Sequence, residues 1–368
     1  MKSSSIPAVL IAAGALIIAG CSQAAPTPTA APPAAAAPTA APAAKPAPTT
    51  PPAAPAATAA PAGAAAAAPA AAGAGTAAYE NMTFCFPQLG AESDWRTANT
   101  ASIKETATKV GVKQLIFSDA QQKQENQISA MRTCIQQGVD VIGLPPVVED
   151  GWDAVLNEAK NAKIPVIIVD RTVSADPSLW ATHIGSDMGL EGQRAAAEIN
   201  KSMPNGGAVL ELSGTTGSGA AVGRAQGFRD KLNANIKILD SQTGNFTRAE
   251  AKPVMEAFLK KYKPGTDFQG LFIHNDDMGI GAIEALKAAG VKPGDLKIVS
   301  VDGTRGGFQA MVDGWFQADV ECNPLLGPQV FDIAAKLKAG QPVEKNILTN
   351  ETVYYPDKAA ELLPTRQY

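Results

Sequence analysis

The stretch Ile164-Pro165-Val166-Ile167-Ile168-Val169-Asp170-Arg171 decides the fold. Its aliphatic run, rich in β-branched residues, predicts a strand buried on both faces, which is typical of a parallel sheet. In open α/β sheets the ligand lies beyond the carboxyl ends of the strands. At that end Asp170 and Arg171 would offer carboxylate acceptors beside a planar group of donors. This pairing indicates either a site for a ligand rich in hydroxyl groups or a structural ion pair.

Two later apolar runs end in the same way. The run 270–274 is followed by Asn275-Asp276-Asp277, and the run 297–301 is followed by Asp302-Gly303. Three separate strands would therefore deliver hydrogen-bonding side chains at their carboxyl ends. Packing alone does not explain this repetition, so the pattern favours a polar ligand site over an ion pair that serves only the fold.

Predicted strands alternate with predicted helices along the body of the chain, which indicates βαβ units and parallel sheets. The strands predicted in the first half are 81–87, 112–118, 139–144 and 164–169. Those predicted in the second half are 208–212, 236–241, 270–274, 296–301 and 318–322, with a last strand near 352–355. Two similar halves predict a two-lobe α/β protein with a ligand cleft between the lobes.

The N-terminal segment is typical of an exported lipoprotein. Residues 1–20 have a basic start and a short apolar core, and Ile18-Ala19-Gly20 precedes Cys21, which is the pattern of a lipidated cysteine after signal cleavage. A single-pass membrane anchor is the alternative. From residue 21 to 78 the chain is almost wholly Ala, Pro, Thr and Gly, so it cannot bury enough apolar surface to fold. We expect this segment to be a disordered tether.

The charge of the chain argues against a nucleic-acid partner. The formal net charge is −4 and no basic run occurs.

The cysteines of the body are odd in number. Besides Cys21 they are Cys85, Cys134 and Cys322, so at least one thiol is free. We expect buried structural thiols, with a disulfide between Cys85 and Cys134 as the alternative.

No motif indicates catalysis, a metal or a cofactor. The loop Gly214-Thr-Thr-Gly217-Ser-Gly219 lacks the Lys-Ser/Thr of a nucleotide-binding loop, and we expect it only to turn the chain into the next helix. The sequence shows no nucleophile elbow and no triad signature, so an enzyme is not expected. The amide-rich run 121–127 is interpreted as a solvated helix start.

Several motifs make residues 79–368 resemble the type I periplasmic sugar-binding proteins of ABC importers, in the ribose-binding group. They are Gln88-Leu-Gly-Ala-Glu-Ser-Asp-Trp-Arg96, Asp119-Ala-Gln-Gln-Lys-Gln-Glu-Asn-Gln-Ile128, Pro146-Val-Val with Gly151-Trp152, the opening stretch, Arg224 with Gly227-Phe228, Gly244-Asn-Phe-Thr-Arg248, His274-Asn-Asp-Asp-Met278 and Val301-Asp302-Gly303. The first two are specific to the galactofuranose-binding branch of that group.

The resemblance implies two Rossmann-like lobes with parallel sheets, joined by three hinge strands. The N-terminal lobe would comprise 79–186 and 323–349, and the C-terminal lobe 187–322 and 350–368. Hinge closure on a sugar would shift the population from an open to a closed form.

The resemblance also implies a set of ligand-binding residues that includes Trp95 on the apolar face of the sugar. Cys322 stands where the ribose group has a hinge Gln, and either Cys322 or its neighbour Glu321 could face the site. Asp94 adds a charge beside Trp95, and we expect its side chain to be exposed. The implied ligand set is Glu92, Ser93, Trp95, Arg96, Asp170, Arg171, Arg224, Phe246, Asn275, Asp302 and Glu321.

These expectations define an extracytoplasmic, lipid-anchored monomer that captures one monosaccharide and delivers it to an ABC permease. A galactofuranose-like aldose is favoured, and another pentose or hexose is the alternative. A sugar-sensing lobe for a chemoreceptor or a sensor kinase would look the same in sequence. A DNA-binding regulator of the same fold is disfavoured because a signal and tether stand where its helix-turn-helix would be.

Overall fold

The structure is a computed structural model that describes residues 77–368. The predicted signal segment, Cys21 and nearly all of the predicted tether lie outside the described residues. Helix α1 begins at Ala77, two residues inside the predicted tether. Tyr79 in this helix is buried in a hydrophobic core together with Phe84 and Phe331. Between residues 77 and 368, no helix is long and apolar enough to cross a membrane.

The first lobe is built on a six-stranded parallel sheet with the order β11-β5-β4-β3-β1-β2. Its strands are β1 Thr83–Gln88, β2 Gln114–Asp119, β3 Val141–Leu144, β4 Val166–Val169, β5 Thr182–Gly185 and β11 Asn346–Leu348. Its helices are α1 Ala77–Glu80, α2 Asp94–Val110, α3 Gln124–Gln136, α4 Asp153–Asn161 and α10 Gly327–Lys338, with a 3₁₀ turn at Pro177–Leu179.

The second lobe repeats this plan with the strand order β12-β10-β9-β8-β6-β7, in which only the β10–β12 pair is antiparallel. Its strands are β6 Gly207–Ser213, β7 Ile236–Thr243, β8 Gly270–Ile273, β9 Lys297–Asp302, β10 Phe316–Glu321 and β12 Val353–Tyr354. Its helices are α5 Met188–Ser202, α6 Gly219–Lys231, α7 Arg248–Lys261, α8 Asp276–Ala288, α9 Arg305–Val312 and α11 Pro356–Leu362, followed by a 3₁₀ turn at Leu363–Thr365.

Strand β4 shows why the opening stretch folds as predicted. Val166 and Ile168 enter one core of the first lobe, with α3 and α4, whereas Ile167 and Val169 enter the other, with α2 and α10. Side chains alternate across a strand, so a run that is apolar at every position is buried on both faces. The prediction of two parallel-sheet α/β lobes is confirmed.

The chain passes between the two sheets at three places. It leaves the first sheet after β5, returns to it after β10, and leaves again between β11 and β12. Strands β5 and β11 have no counterpart among the predicted strands. The sequence Thr-His-Ile-Gly of β5 lacks the aliphatic run that marks the other buried strands.

The cysteines differ from the expectation. Cys85 in β1 and Cys134 in α3 form a disulfide across 49 residues, so the expectation of two free buried thiols was wrong. Parallel pairing places β1 beside β3, and α3 packs over this part of the sheet, which brings the two cysteines together. Cys322 is free and buried.

Candidate functional site

A cavity lies between the two lobes at the carboxyl ends of their strands. The space between its side chains measures about 270 Å³, part of it open to solvent. Its lining comprises Glu92, Ser93, Trp95, Arg96, Asp170, Arg171, Ala220, Arg224, Phe246, Asn275, Asp302 and Cys322. The structure thus brings together every predicted ligand residue except Glu321. Their role as ligands stays a prediction.

The prediction that Glu321 faces the cavity was wrong. Glu321 accepts hydrogen bonds from the hydroxyl groups of Tyr354 at 2.8 Å and Tyr368 at 3.3 Å, on the side of the C-terminal tail. Successive side chains in an extended chain point in opposite directions. The side chain of Cys322 therefore faces the cavity instead.

Helix starts fix two of the lining residues. Ser93 is the N-cap of α2, where its hydroxyl oxygen accepts from the amide of Arg96 at 3.1 Å. Asn275 is the N-cap of α8, where its side chain accepts from the amide of Met278 at 3.1 Å. An N-cap side chain satisfies an otherwise unpaired helix amide. These polar residues therefore anchor the loops that deliver the site.

The wall from the first lobe is a buried network of charges. Arg96 Nη2 donates to Asp170 Oδ2 at 2.6 Å, and Arg96 Nε donates to Glu92 Oε1 at 3.1 Å. Arg171 Nη2 lies 3.4 Å from the same Glu92 oxygen, and its Nη1 donates to the carbonyl of Val147 at 3.1 Å. Burial, followed by the positive charge of Arg96, lowers the pKa of Arg171 to about 10, so Arg171 stays charged at neutral pH.

Val147 shows a contact that the sequence did not predict. Its amide donates to Gln127 Oε1 at 2.9 Å, and Gln127 Nε2 donates to the carbonyls of Pro87 at 2.8 Å and Pro145 at 2.7 Å. Gln127 is fully buried, so the interpretation of the run 121–127 as a solvated helix start was wrong at this residue. Gln127 therefore holds the loop whose Val147 carbonyl accepts a hydrogen bond from Arg171.

The wall from the second lobe is centred on Arg224. Its Nε donates to Glu191 Oε2 at 2.7 Å and its Nη1 donates to the carbonyl of His274 at 2.6 Å. Asp302 Oδ1 lies 3.7 Å from Arg224 Nη2, and Asp302 Oδ2 has no partner. Burial raises the pKa of Asp302 well above its usual range, because a buried carboxylate that lacks donors is costly to ionise.

Two buried polar atoms of the cavity wall are unpartnered. Arg96 Nη1 is a donor from the first lobe, and Asp302 Oδ2 is a carboxyl oxygen from the second, an acceptor when the group is ionised. Buried polar atoms in folded proteins nearly always have a hydrogen-bond partner. A ligand that accepts on one side and donates on the other would complete both walls.

Aromatic rings supply the apolar part of the cavity. Trp95 donates from Nε1 to the carbonyl of Cys322 at 2.7 Å, which fixes its ring across the cleft. The ring of Phe246 lies 4.9 Å from the guanidinium carbon of Arg171. A side chain at Gly214 would clash with the Phe246 ring, so the glycine of that loop makes room for it. The loop therefore does more than turn the chain.

The charges of the site leave no net positive charge for an anion. The guanidinium groups of Arg96, Arg171 and Arg224 face four carboxyl groups, those of Glu92, Asp170, Glu191 and Asp302. Phosphate or carboxylate recognition uses guanidinium groups that are not already paired with acids. This balance suits a neutral polyhydroxyl ligand.

One cluster near the hinge combines three side chains of the types that bind metals. Ligand atoms of Glu191, Cys322 and Glu351 lie within 4.8 Å of one another. Glu351 Oε1 already accepts a hydrogen bond from the hydroxyl group of Ser186 at 2.5 Å, and Arg224 Nε lies 2.7 Å from Glu191 Oε2. The positive charge of Arg224 so close to Glu191 would repel a metal cation at this cluster. The sequence prediction that no metal is bound stays a prediction.

The two lobes touch at both rims of the cavity. On one rim the side chain of Asp94 pairs with Arg248, and the amide of Asp94 donates to Asp277 Oδ2 at 2.8 Å. The side chain of Asp94 is 59% exposed, which confirms that it does not enter the cavity. On the other rim the amide of Glu149 donates to the carbonyl of Gly217 at 2.9 Å.

Comparison with known proteins defines the family. The sequence matches the periplasmic binding protein domain over residues 85–342, so the chain belongs to that family. The family acts outside the cytoplasm, and the relatives of this chain are binding and transport proteins and not enzymes. The predicted class, the type I periplasmic sugar-binding proteins of ABC importers, is confirmed.

Three relatives are particularly similar. The galactofuranose-binding protein YtfQ of Escherichia coli (strain K12) is 44% identical over 295 residues, which cover 78% of this chain and 92% of the relative. A solved structure from Mycobacterium smegmatis in complex with β-D-fucofuranose is 50% identical, with a TM-score of 0.75 and coverage of 78% and 95%. The periplasmic component of the arabinose ABC transporter from Shewanella sp. ANA-3, bound to α- and β-L-arabinofuranose, is 45% identical, with a TM-score of 0.74 and coverage of 78% and 96%.

Proposed function

We propose that this protein binds one neutral sugar in its furanose form in the cavity between the lobes. The unpartnered pair of Arg96 Nη1 and Asp302 Oδ2 carries this proposal. A sugar hydroxyl both accepts and donates, so hydroxyl groups on opposite sides of a ring can satisfy both atoms at once. A sugar that lacks one of these hydroxyl groups would leave a buried polar atom unpaired, which gives selectivity.

The furanose form is supported by the relatives. Galactofuranose, β-D-fucofuranose and L-arabinofuranose are the sugars named for the three relatives described above, and all have five-membered rings. The rings of Trp95 and Phe246 offer apolar surfaces for the C–H faces of such a ring. We therefore favour a galactofuranose-like aldose.

A screen and one matched pair of variants test this function. In a thermal-shift panel of aldoses, a bound sugar raises the free energy of unfolding by RT ln(1 + [L]/Kd), and the melting temperature rises with it. Arg171→Ala should abolish the shift, whereas Arg132→Ala, which removes a half-exposed arginine paired with Glu158, should leave it unchanged. No shift with any aldose, or an unchanged shift in Arg171→Ala, would contradict the proposal.

Closure of the lobes over the sugar is the second part of the proposal. The three chain crossings and the contacts at both rims support it. Gly219 belongs to the second lobe, and a Cβ atom at this position would lie 2.9 Å from the amide nitrogen of Thr172 in the first lobe and would clash with the Thr172 hydroxyl. The glycine therefore permits a close approach that only the closed form requires.

Gly219→Ala tests closure without removing any group of the cavity wall. Overpacking of this kind costs about 1–3 kcal/mol, which corresponds to a loss of affinity of about fivefold or more. Gly189→Ala is the control, because a Cβ atom there meets only Asp187 Oδ1, at 3.3 Å. The melting temperature without sugar should be unchanged in both variants. Equal sugar affinities in the two would argue against closure.

Anchoring and delivery are the third part of the proposal. The lipobox sequence before Cys21 supports a lipid anchor on the membrane surface, and family membership supports transfer of the sugar to an ABC permease by a monomeric protein. Metabolic labelling with a radioactive fatty acid should mark the wild type and not Cys21→Ala. Uptake of the labelled sugar should stop in cells that lack the gene and resume when it is restored.

A further inference from the structure

We propose that Gln122 is a positioning residue for the sugar site and acts through Glu92. This inference rests on the proposed function. Gln122 does not line the cavity, and it lies in the amide-rich run that the sequence analysis interpreted as a solvated helix start. Its Nε2 atom donates to Glu92 Oε2 at 2.8 Å. That interpretation was therefore wrong for Gln122 as well.

Glu92 has a central place in the first-lobe wall. Its Oε1 atom accepts from both Arg96 and Arg171, and its side chain is only 2% exposed. The two guanidinium groups repel each other, so the carboxylate between them determines where their remaining donors point. Gln122 donates a hydrogen bond to the other oxygen of this carboxylate, Oε2. Without that bond the carboxylate could rotate away from either arginine.

The backbone around Gln122 is shaped for this contact. Gln121 and Gln122 have φ values of 56° and 64°, in the left-handed region that residues with a side chain seldom adopt. The amide of Gln122 donates to the carbonyl of Leu89 at 2.7 Å, which ties the turn to the loop after β1. Strained conformations persist where the surroundings fix them, and they cluster at functional sites.

Gly90 provides the space for the Gln122 side chain. A Cβ atom at position 90 would lie 3.1 Å from Gln122 Cδ and would clash with Gln122 Nε2. The amide therefore passes directly over the backbone of Gly90 to reach Glu92. Gly90, Glu92 and Gln122 form one contact that links the loop after β1 to the turn after β2.

Gln122→Met tests the proposal because it keeps the length of the side chain and removes the donor. A hydrogen bond to a charged group contributes enough that we expect about a tenfold loss of sugar affinity by calorimetry. Gln121→Met is the matched control, since Gln121 is exposed and also left-handed, and its affinity should match the wild type. Gly90→Ala should reproduce the loss by displacing the Gln122 amide.

A double-mutant cycle separates positioning from a general structural role. In a Glu92→Ala background Gln122→Met should cause no further loss of affinity, because coupled residues do not add. Full additivity, or wild-type affinity in both Gln122→Met and Gly90→Ala, would overturn the inference. If Glu92→Ala does not fold, the comparison of Gly90→Ala with Gln121→Met decides. Absence of sugar binding by the wild type would instead overturn the proposed function.

Discussion

Asp170 after β4 and Asp302 at the end of β9 occupy equivalent places in the two lobes and differ in one respect. Both have positive φ values, 66° and 130°, and both lie beside an arginine. Asp170 receives a 2.6 Å hydrogen bond from Arg96, whereas Asp302 lies 3.7 Å from Arg224 and leaves one oxygen without a partner. The protein itself therefore pairs the carboxylate of Asp170 before a sugar arrives, whereas the free oxygen of Asp302 requires the sugar as its partner.

The largest effect should come from removing the paired aspartate, Asp170. Asp170→Ala leaves the buried guanidinium of Arg96 without its shortest partner, and removal of one member of a buried ion pair costs about 3–5 kcal/mol. We expect the free energy of unfolding, measured by urea titration, to fall by about this amount, and sugar binding to be lost. Asp302→Asn is the control and should be at least as stable as the wild type at pH 7. Equal destabilisation of both variants would remove the distinction between the two aspartates.

The disulfide gives the next largest effect, and it is confined to the first lobe. Cys85→Ala combined with Cys134→Ala opens a bridge across 49 residues, which should lower the free energy of unfolding by about 2–4 kcal/mol. Sugar affinity at 25 °C should be unchanged because neither cysteine lines the cavity. Unchanged stability in the double variant would show that the bridge contributes nothing.

Removal of the aspartate with a free oxygen, Asp302, should affect binding and not folding. Asp302→Asn replaces one carboxylate oxygen by a donor, so either Arg224 or the sugar loses its acceptor. Hydrogen bonds of charged groups contribute about 1.5–3 kcal/mol, and calorimetry should show affinity reduced by about tenfold or more. The melting temperature without sugar should not decrease. An unchanged affinity would mean that Asp302 does not contact the ligand.

The smallest effect concerns pH. Burial raises the pKa of Asp302, so the folded protein holds this proton more tightly than the unfolded chain, and stability increases as pH falls from 7 toward 5. Glu351, raised to about 7, and Asp277, raised to about 6, act in the same direction. His183 and His274, whose pKa values burial lowers, act in the opposite direction. The change in melting temperature without sugar from pH 7 to pH 5 should therefore be more positive in the wild type than in Asp302→Asn. An identical change in both proteins would argue against an elevated pKa at Asp302.

The sequence predicted the parts of the site that follow from strand ends. Buried aliphatic runs mark β4, β8 and β9, and parallel pairing collects the polar residues that follow them at one edge of each sheet. It did not predict which of Glu321 and Cys322 faces the cavity, because that depends on the direction in which β10 leaves its sheet. The hydrogen bond from Gln122 to Glu92 depends on a left-handed turn, and a glutamine in the sequence does not predict such a turn. The disulfide depends on tertiary packing of α3 against β1.

The central claim is that the completed walls enclose a furanose ring, and calorimetry with two deoxy sugars tests it most directly. 5-Deoxy-D-galactose lacks the hydroxyl group that closes a pyranose ring and forms a furanose, whereas 4-deoxy-D-galactose lacks the hydroxyl group that closes a furanose and forms a pyranose. Each lacks one hydroxyl group, so the two ligands are matched. We expect 5-deoxy-D-galactose to bind and 4-deoxy-D-galactose not to bind. Binding of the 4-deoxy sugar alone would contradict the claim.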